Sequence, residues 1–284
     1  MFEAHFGLSA PPFQLSPDPR FYFESEGHRQ ALAHLKFGVY QRDGFIVVTG
    51  EIGAGKTLLV KTLLEGLDPD HIVAAQITNT QLNEGDLLVA ICNAFGVPVQ
   101  GPSKAQLLAT LEAFVTAVAL GGRRTLLVVD EAQNLGPREA EELRMLSNFQ
   151  LGTQALLQSF LVGQPELRQM LAAPALEQLR QRVIASWHLG PLAEHETQAY
   201  IAHRLRHVGW DGAPIFDDAA FGPIHAFTGG IPRRINLLCT RLLLGASLQS
   251  QRLIDAATVA ATAQGLHAEM GVIGAAEAGP GQIG

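Results

Sequence analysis

Apolar residues fall along this chain in two rhythms. Apolar-rich runs stand at 45–49, 72–77, 125–129, 156–162 and 183–189, and such runs predict strands, buried on both faces where they are most continuous, as in a parallel sheet. Between them the apolar positions recur every three or four residues. Ala31, Leu32, Leu35 and Val39 mark a helix over 27–40, and further helices are expected at 58–64, 85–95, 103–120, from Gly136-Pro137 through Leu146, and at 174–182. From Leu192 onward the alternation stops and only helical spacing remains, over 194–208, 217–227, 232–248 and a short fourth stretch at 255–264. Residues 1–26 carry too many prolines for a long helix, yet Phe6, Phe13, Phe21 and Phe23 want burial, so an extended arm strapped onto the core is expected. The expected division is an arm packing on the core (1–26), an α/β core (27–191), a helical part (192–265) and a disordered tail rich in Gly and Ala (266–284).

The first apolar run leads into Gly50-Glu51-Ile52-Gly53-Ala54-Gly55-Lys56-Thr57, followed by the helical Leu58-Leu59-Val60. This matches G-x-x-x-x-G-K-[ST] at every fixed position, between a strand and a helix, as the motif requires. Glycines let successive N–H groups turn inward on an anion, the helix start adds its positive dipole end, and Lys56 adds a full charge. Thr57 offers a hydroxyl to a magnesium ion on the phosphates. The run 125–129 ends in Asp130-Glu131, two carboxylates at the strand end where open α/β sheets place ligands. Asp130 is the expected Mg2+ partner and Glu131 the base that polarises water. Gln164, where the run 156–162 ends, could reach a γ-phosphate or serve as a plain turn residue. Arg233 and Arg234 stand at a helix start, where cations are mildly unfavourable unless an anion binds; solvated arginines are the alternative. His203 and His207 share a helix face, but no third ligand at useful spacing supports a metal.

Composition narrows the partners. With 47% hydrophobic and 17% charged residues the 284-residue chain can bury a large core. A net charge of −7 argues against nucleic-acid binding through an overall positive field, leaving only local patches. The two cysteines, Cys92 and Cys239, lie in apolar helical contexts and read as buried thiols of a reducing compartment. Glu3 and His5 interrupt the amino terminus, so no signal peptide is expected, and no stretch has the length and apolarity of a spanning helix.

Together the phosphate loop, the Asp-Glu strand end, the polar strand end, the arginines and the helical part resemble an AAA+ ATPase. Phe6-Gly7-Leu8, Pro12-Phe13, Pro17-Asp18-Pro19, His28, Gly44-Phe45, the stretch from Leu161 to Leu167 and Gly229-Gly230-Ile231-Pro232-Arg233-Arg234-Ile235-Asn236 are similar to ATPases of the general-secretion-pathway protein A type. The loop wording and Glu142-Leu143-Arg144-Met145-Leu146-Ser147-Asn148-Phe149-Gln150 resemble the subgroup found with exosortase (PEP-CTERM) and exopolysaccharide export systems. The resemblance covers about residues 1–265. It implies a five-stranded parallel sheet between helices, a C-terminal helical lid, and ATP with Mg2+ held by Gly50, Glu51, Gly53, Ala54, Gly55, Lys56, Thr57 and Leu58, with Arg233 contacting the γ-phosphate from the lid. It implies Gln164 as a nucleotide sensor and Arg182, or else Arg180, as an arginine finger offered to a neighbouring subunit. Expected partners are further copies of the chain and membrane export or polysaccharide-assembly proteins. The family's transmembrane and periplasmic parts have no counterpart after the lid here, so a cytoplasmic protein reaching a membrane through a partner is expected. Two other readings stay open: a DNA-associated regulator, since transposition ATPases share this architecture, and a nucleotide-gated binding module with little turnover.

Overall fold

The computed structural model describes residues 2–41, 43–78, 86–99 and 103–277. The elements follow in chain order. A five-residue helix, α1 (Phe2–Phe6), and a 3-10 turn (Pro19–Phe21) make up the arm. The α/β part runs α2 (Glu26–Gln41), β1 (Phe45–Gly50), α3 (Lys56–Glu65), β2 (Ile72–Ile77), α4 (Asp86–Ala94), α5 (Lys104–Leu120), β3 (Arg124–Val129) and α6 (Pro137–Leu146). A short hairpin of β4 (Gln150–Leu151) and β5 (Gln154–Ala155) follows, then β6 (Leu157–Gly163), α7 (Glu166–Ala172), α8 (Glu177–Arg180) and β7 (Val183–Leu189). The chain ends in α9 (Glu194–His207), β8 (Ile215–Phe216), α10 (Asp218–Thr228), α11 (Pro232–Leu248), β9 (Leu253–Ile254) and α12 (Ala256–Glu277). Gly85, the expected start of one helix, and residues 278–284 of the expected tail lie outside the described residues.

These elements form two compact units, Glu26–Gly190 and a second made of Met1–Ser25 with Pro191–Gly284. In the first, a five-stranded sheet has the order β2-β3-β6-β1-β7, and its strand pairs are parallel. β1, β3 and β6 are buried nearly throughout, as their largely apolar sequences require, because helices cover both faces. Phe45, Val47, Leu127, Val129 and Leu161 point into one core with α4, α5 and α6, while Ile46, Val48, Val128, Phe160 and Val162 point into another with α2 and α3. The alternation follows from the two-residue period of a strand. Ser103 caps α5, its hydroxyl accepting from the Gln106 N–H at 3.3 Å.

The second unit corrects two expectations. The arm belongs to this unit, and Phe6, Leu8, Phe13 and Phe21 are buried in one cluster with Tyr200, Ile201, Leu205, Leu238 and Leu242 of the helical part, a surface the sequence did not single out. It is not extended throughout, since α1 and the 3-10 turn bend it. Arg204, 5% exposed, fixes it there, donating to the carbonyls of Pro12 (2.6 Å) and Gln14 (3.3 Å) with its guanidinium carbon 4.7 Å from the Phe21 ring centre. The second correction concerns the tail expected from residue 266. Helix α12 continues to Glu277, because Val259, Ala263 and Leu266 extend its apolar stripe past Gly265 into the same core. The β4–β5 hairpin, the parallel β8–β9 pair and α7 were not foreseen, the strands being too short to show a period.

Candidate nucleotide site

The sheet register assembles the site. β1 lies beside β6, with Thr49 paired to Gly163, and β6 lies beside β3, with Leu161 paired to Val129. Gly50, the last residue of β1, and Gln164 and Asp130, just past the ends of β6 and β3, therefore emerge side by side at the carboxyl edge. The phosphate loop leaves β1 there and turns into α3, the Glu51 carbonyl accepting from the Ala54 N–H at 3.1 Å. Gly55 takes φ 100°, in the left-handed region, and a Cβ on it would lie 2.8 Å from His28 Nε2. Only glycine fits between that buried histidine and the start of α3.

Lys56 is buried, and its ammonium donates to the carbonyls of Gly50 (2.7 Å) and Glu51 (3.0 Å). Burial pushes it down from the usual lysine range, while Glu131, Asp130, Glu51 and Glu166 act in the opposite direction. A desolvated ammonium at a helix start is suited to a polyanion. Thr57 donates its hydroxyl to Asp130 Oδ2 at 2.9 Å, and Asp130 Oδ1 accepts from the Glu131 N–H at 2.9 Å. Burial raises the Asp130 carboxyl above its ordinary value despite these two donors. Hydroxyl and carboxylate oxygens side by side are the hard donors Mg2+ takes, so the residues present fit the ion.

Glu131 follows with φ 52°, rare for a residue that is not glycine. Its Oε2 accepts from the side-chain amides of Gln133 at 2.6 Å and Gln164 at 3.2 Å. The structure thus brings together the loop, Lys56, Thr57, Asp130, Glu131 and Gln164. Gln133, in the 3-10 turn Ala132–Asn134, was missed by the sequence reading; its signal was an amide two residues beyond the acidic pair. Arg182 donates to Ser147 Oγ and Asn148 Oδ1, and the exposed Arg180 donates to the Ala172 carbonyl at 3.2 Å. In the other unit, Arg233 and Arg234 are exposed in the first turn of α11, which begins at Pro232. His203 and His207 lie against the aromatics of the arm with their rings tilted, His203 5.6 Å from Phe23 and His207 4.6 Å from Phe21 between ring centres.

The parallel sheet with helices around it, and the phosphate loop leaving its β1 strand, define an α/β protein of the AAA+ P-loop fold. Residues 39–171 match the family described as "AAA domain". The solved structures with the same fold include Cdc6p from Pyrobaculum aerophilum (TM-score 0.61, 18% identity, 89% of this chain and 68% of that one). Another is the Aeropyrum pernix ORC2 protein in its ADPNP-ADP complexes (TM-score 0.59, 17% identity, 86% of this chain and 71% of that one). In sequence the chain is 44% identical over 247 residues to General secretion pathway protein A of Aeromonas hydrophila, a match that covers 87% of this chain. The chain spans 45% of that relative's length. Among the described residues, no helix is long and apolar enough to cross a membrane.

Proposed function

We propose that this chain binds ATP with Mg2+ and hydrolyses it, working as an oligomer in a secretion-type or exosortase/exopolysaccharide export system. The observation that carries the chemistry is the meeting of Lys56, Thr57, Asp130, Glu131 and Gln164 at adjacent strand ends. The amides between Gly50 and Leu58 cradle the phosphates, and Lys56 neutralises the outer ones. Thr57 and Asp130 hold Mg2+, which when bound offsets phosphate charge. Glu131 orients the attacking water and accepts its proton, while Gln164 contacts the γ-phosphate. Arg233 is assigned a second γ-phosphate contact.

Arg182 is assigned as the finger offered to a neighbouring copy. Its bonds to Ser147 and Asn148 must open for that role, so Arg180 is tested beside it. The likeness to General secretion pathway protein A supports an export role, and the wording of the phosphate loop and of Glu142–Gln150 supports the exosortase subgroup. A cytoplasmic location with membrane attachment through a partner goes with this reading.

The test is Mg2+-dependent phosphate release from ATP over a range of protein concentrations, with Arg182→Ala and Arg180→Ala alongside. Specific activity should rise with concentration, and loss of the true finger should flatten it, since fingers contribute roughly 10³–10⁵ in rate elsewhere. Concentration-independent activity, unchanged in both variants, would remove the shared-site part of the proposal.

A further inference from the structure

We infer that Gln133 is a positioning residue for Glu131, one carboxamide that grips the carboxylate and ties it to the end of β6. The inference rests on Glu131 being the water-activating group. Gln133 Nε2 donates to Glu131 Oε2 at 2.6 Å, and Gln133 Oε1 accepts the backbone N–H of Gln164 at 2.9 Å. With the Gln164 side chain on the same carboxylate oxygen at 3.2 Å, the three residues close a ring of hydrogen bonds.

The chemistry requires an amide at 133. A carboxylate there has no donor for Glu131, and a lysine or arginine has no acceptor for the Gln164 N–H. Space is also reserved for it, because a Cβ at residue 163 would come within 2.6 Å of Gln133 Oε1, and the residue is Gly163. The left-handed backbone at Glu131 persists only where surroundings over-determine it, and this ring does so.

The two donors on Glu131 differ in permanence. The Gln164 amide is a side chain at a strand end and can rotate toward a phosphate. Gln133 is held at both ends, at one of them by a main-chain N–H that stays with the sheet. When Gln164 engages nucleotide, Gln133 therefore keeps Glu131 aimed.

The experiment uses the full chain with Gln133→Leu and Gln133→Glu. ATP affinity should stay within about twofold while kcat falls about 10–100-fold, the scale of a misaimed catalytic group. Placed on Glu131→Gln, Gln133→Leu should cause no further loss of residual turnover, because Gln133 acts through Glu131. Wild-type kcat in Gln133→Leu, or an equal loss in both backgrounds, would overturn the inference. A thermal-stability cycle of Gln133→Leu with Glu131→Ala reads the grip without any turnover. Non-additivity of about 2–4 °C is expected, and strict additivity overturns the inference. Should the wild type bind ATP without hydrolysing it, the proposed function fails, and the stability cycle alone decides whether Gln133 grips Glu131.

Discussion

Thr57 and Asp130 stand 73 residues apart in the chain and meet at 2.9 Å, hydroxyl to carboxylate. The contact joins the first turn of α3 to the end of β3 and places a buried carboxyl where a cation is wanted. Burial raises that carboxyl above its ordinary value. In the window between the unfolded and the raised folded value, the folded chain binds more protons than the unfolded one. Stability therefore falls as pH rises through that window, and the ionised group is a net cost at neutral pH.

Asp130→Asn removes this cost and keeps the shape. It should raise the melting temperature of the nucleotide-free protein at pH 7 by about 2–4 °C, as removing about 1 kcal/mol would do. The gain should fade as pH drops into the range where the wild-type carboxyl is protonated. Mg2+-dependent tightening of ATP binding should disappear at the same time. Calorimetry across pH, with nucleotide titration, checks both; a lowered melting temperature at pH 7 would refute the account.

The arm offers a second test. Arg204→Met keeps most of the side chain's bulk but takes the Arg204 donor from the Pro12 carbonyl and leaves the Gln14 carbonyl with the Asn236 side-chain amide alone. The expected loss is about 1–3 kcal/mol, the scale of one buried acceptor left unpaired. With two units present, the change is best read from one reporter. Trp210 lies against the helical core, so in a Trp187→Phe background its urea transition should move to lower midpoint. An unmoved transition would mean that the aromatics alone hold the arm.

Much of this was legible in the sequence because it depends on local pattern. The strands at 72–77 and 183–189 and the helix at 232–248 are where the apolar rhythm puts them, and the loop from Gly50 to Thr57 declares its chemistry by residue type and spacing. What was not legible depends on tertiary contact. Nothing in Phe6, Phe13 or Phe21 says which surface buries them, and Gly265 looks like a helix stop until Leu266 is seen in the core. Gln133 became visible only once the turn after Glu131 brought its amide back onto the carboxylate.

Cys92 and Cys239 are both fully buried, and burial pushes both thiols up, Cys239 far above the ordinary range. Since the thiolate is the reactive form, neither should be alkylated in the native protein at pH 8. Labelling by iodoacetamide should be roughly 100-fold slower than in denaturant, where both should react. Mass spectrometry of the labelled chain decides it, and rapid native labelling of either cysteine would show that its core opens readily.

Glu131→Gln separates binding from chemistry. Glutamine has nearly the volume of glutamate and retains an oxygen for the amides of Gln133 and Gln164, so the ring around it can close. Lys56, Thr57 and Asp130 keep their partners, and nucleotide affinity should remain within about twofold of wild type. The neutral amide cannot take a proton from water, and the loss of a general base should lower kcat by roughly 10²–10⁴. Titration with a fluorescent ATP analogue and single-turnover phosphate release measure the two quantities separately. Glu131→Asp sharpens the result, because it keeps the charge but withdraws the carboxylate from the Gln133 amide. It should bind ATP normally and turn over slowly. Full activity in Glu131→Gln would transfer the role of base to another group and leave the amides of Gln133 and Gln164 holding a carboxylate for structure alone.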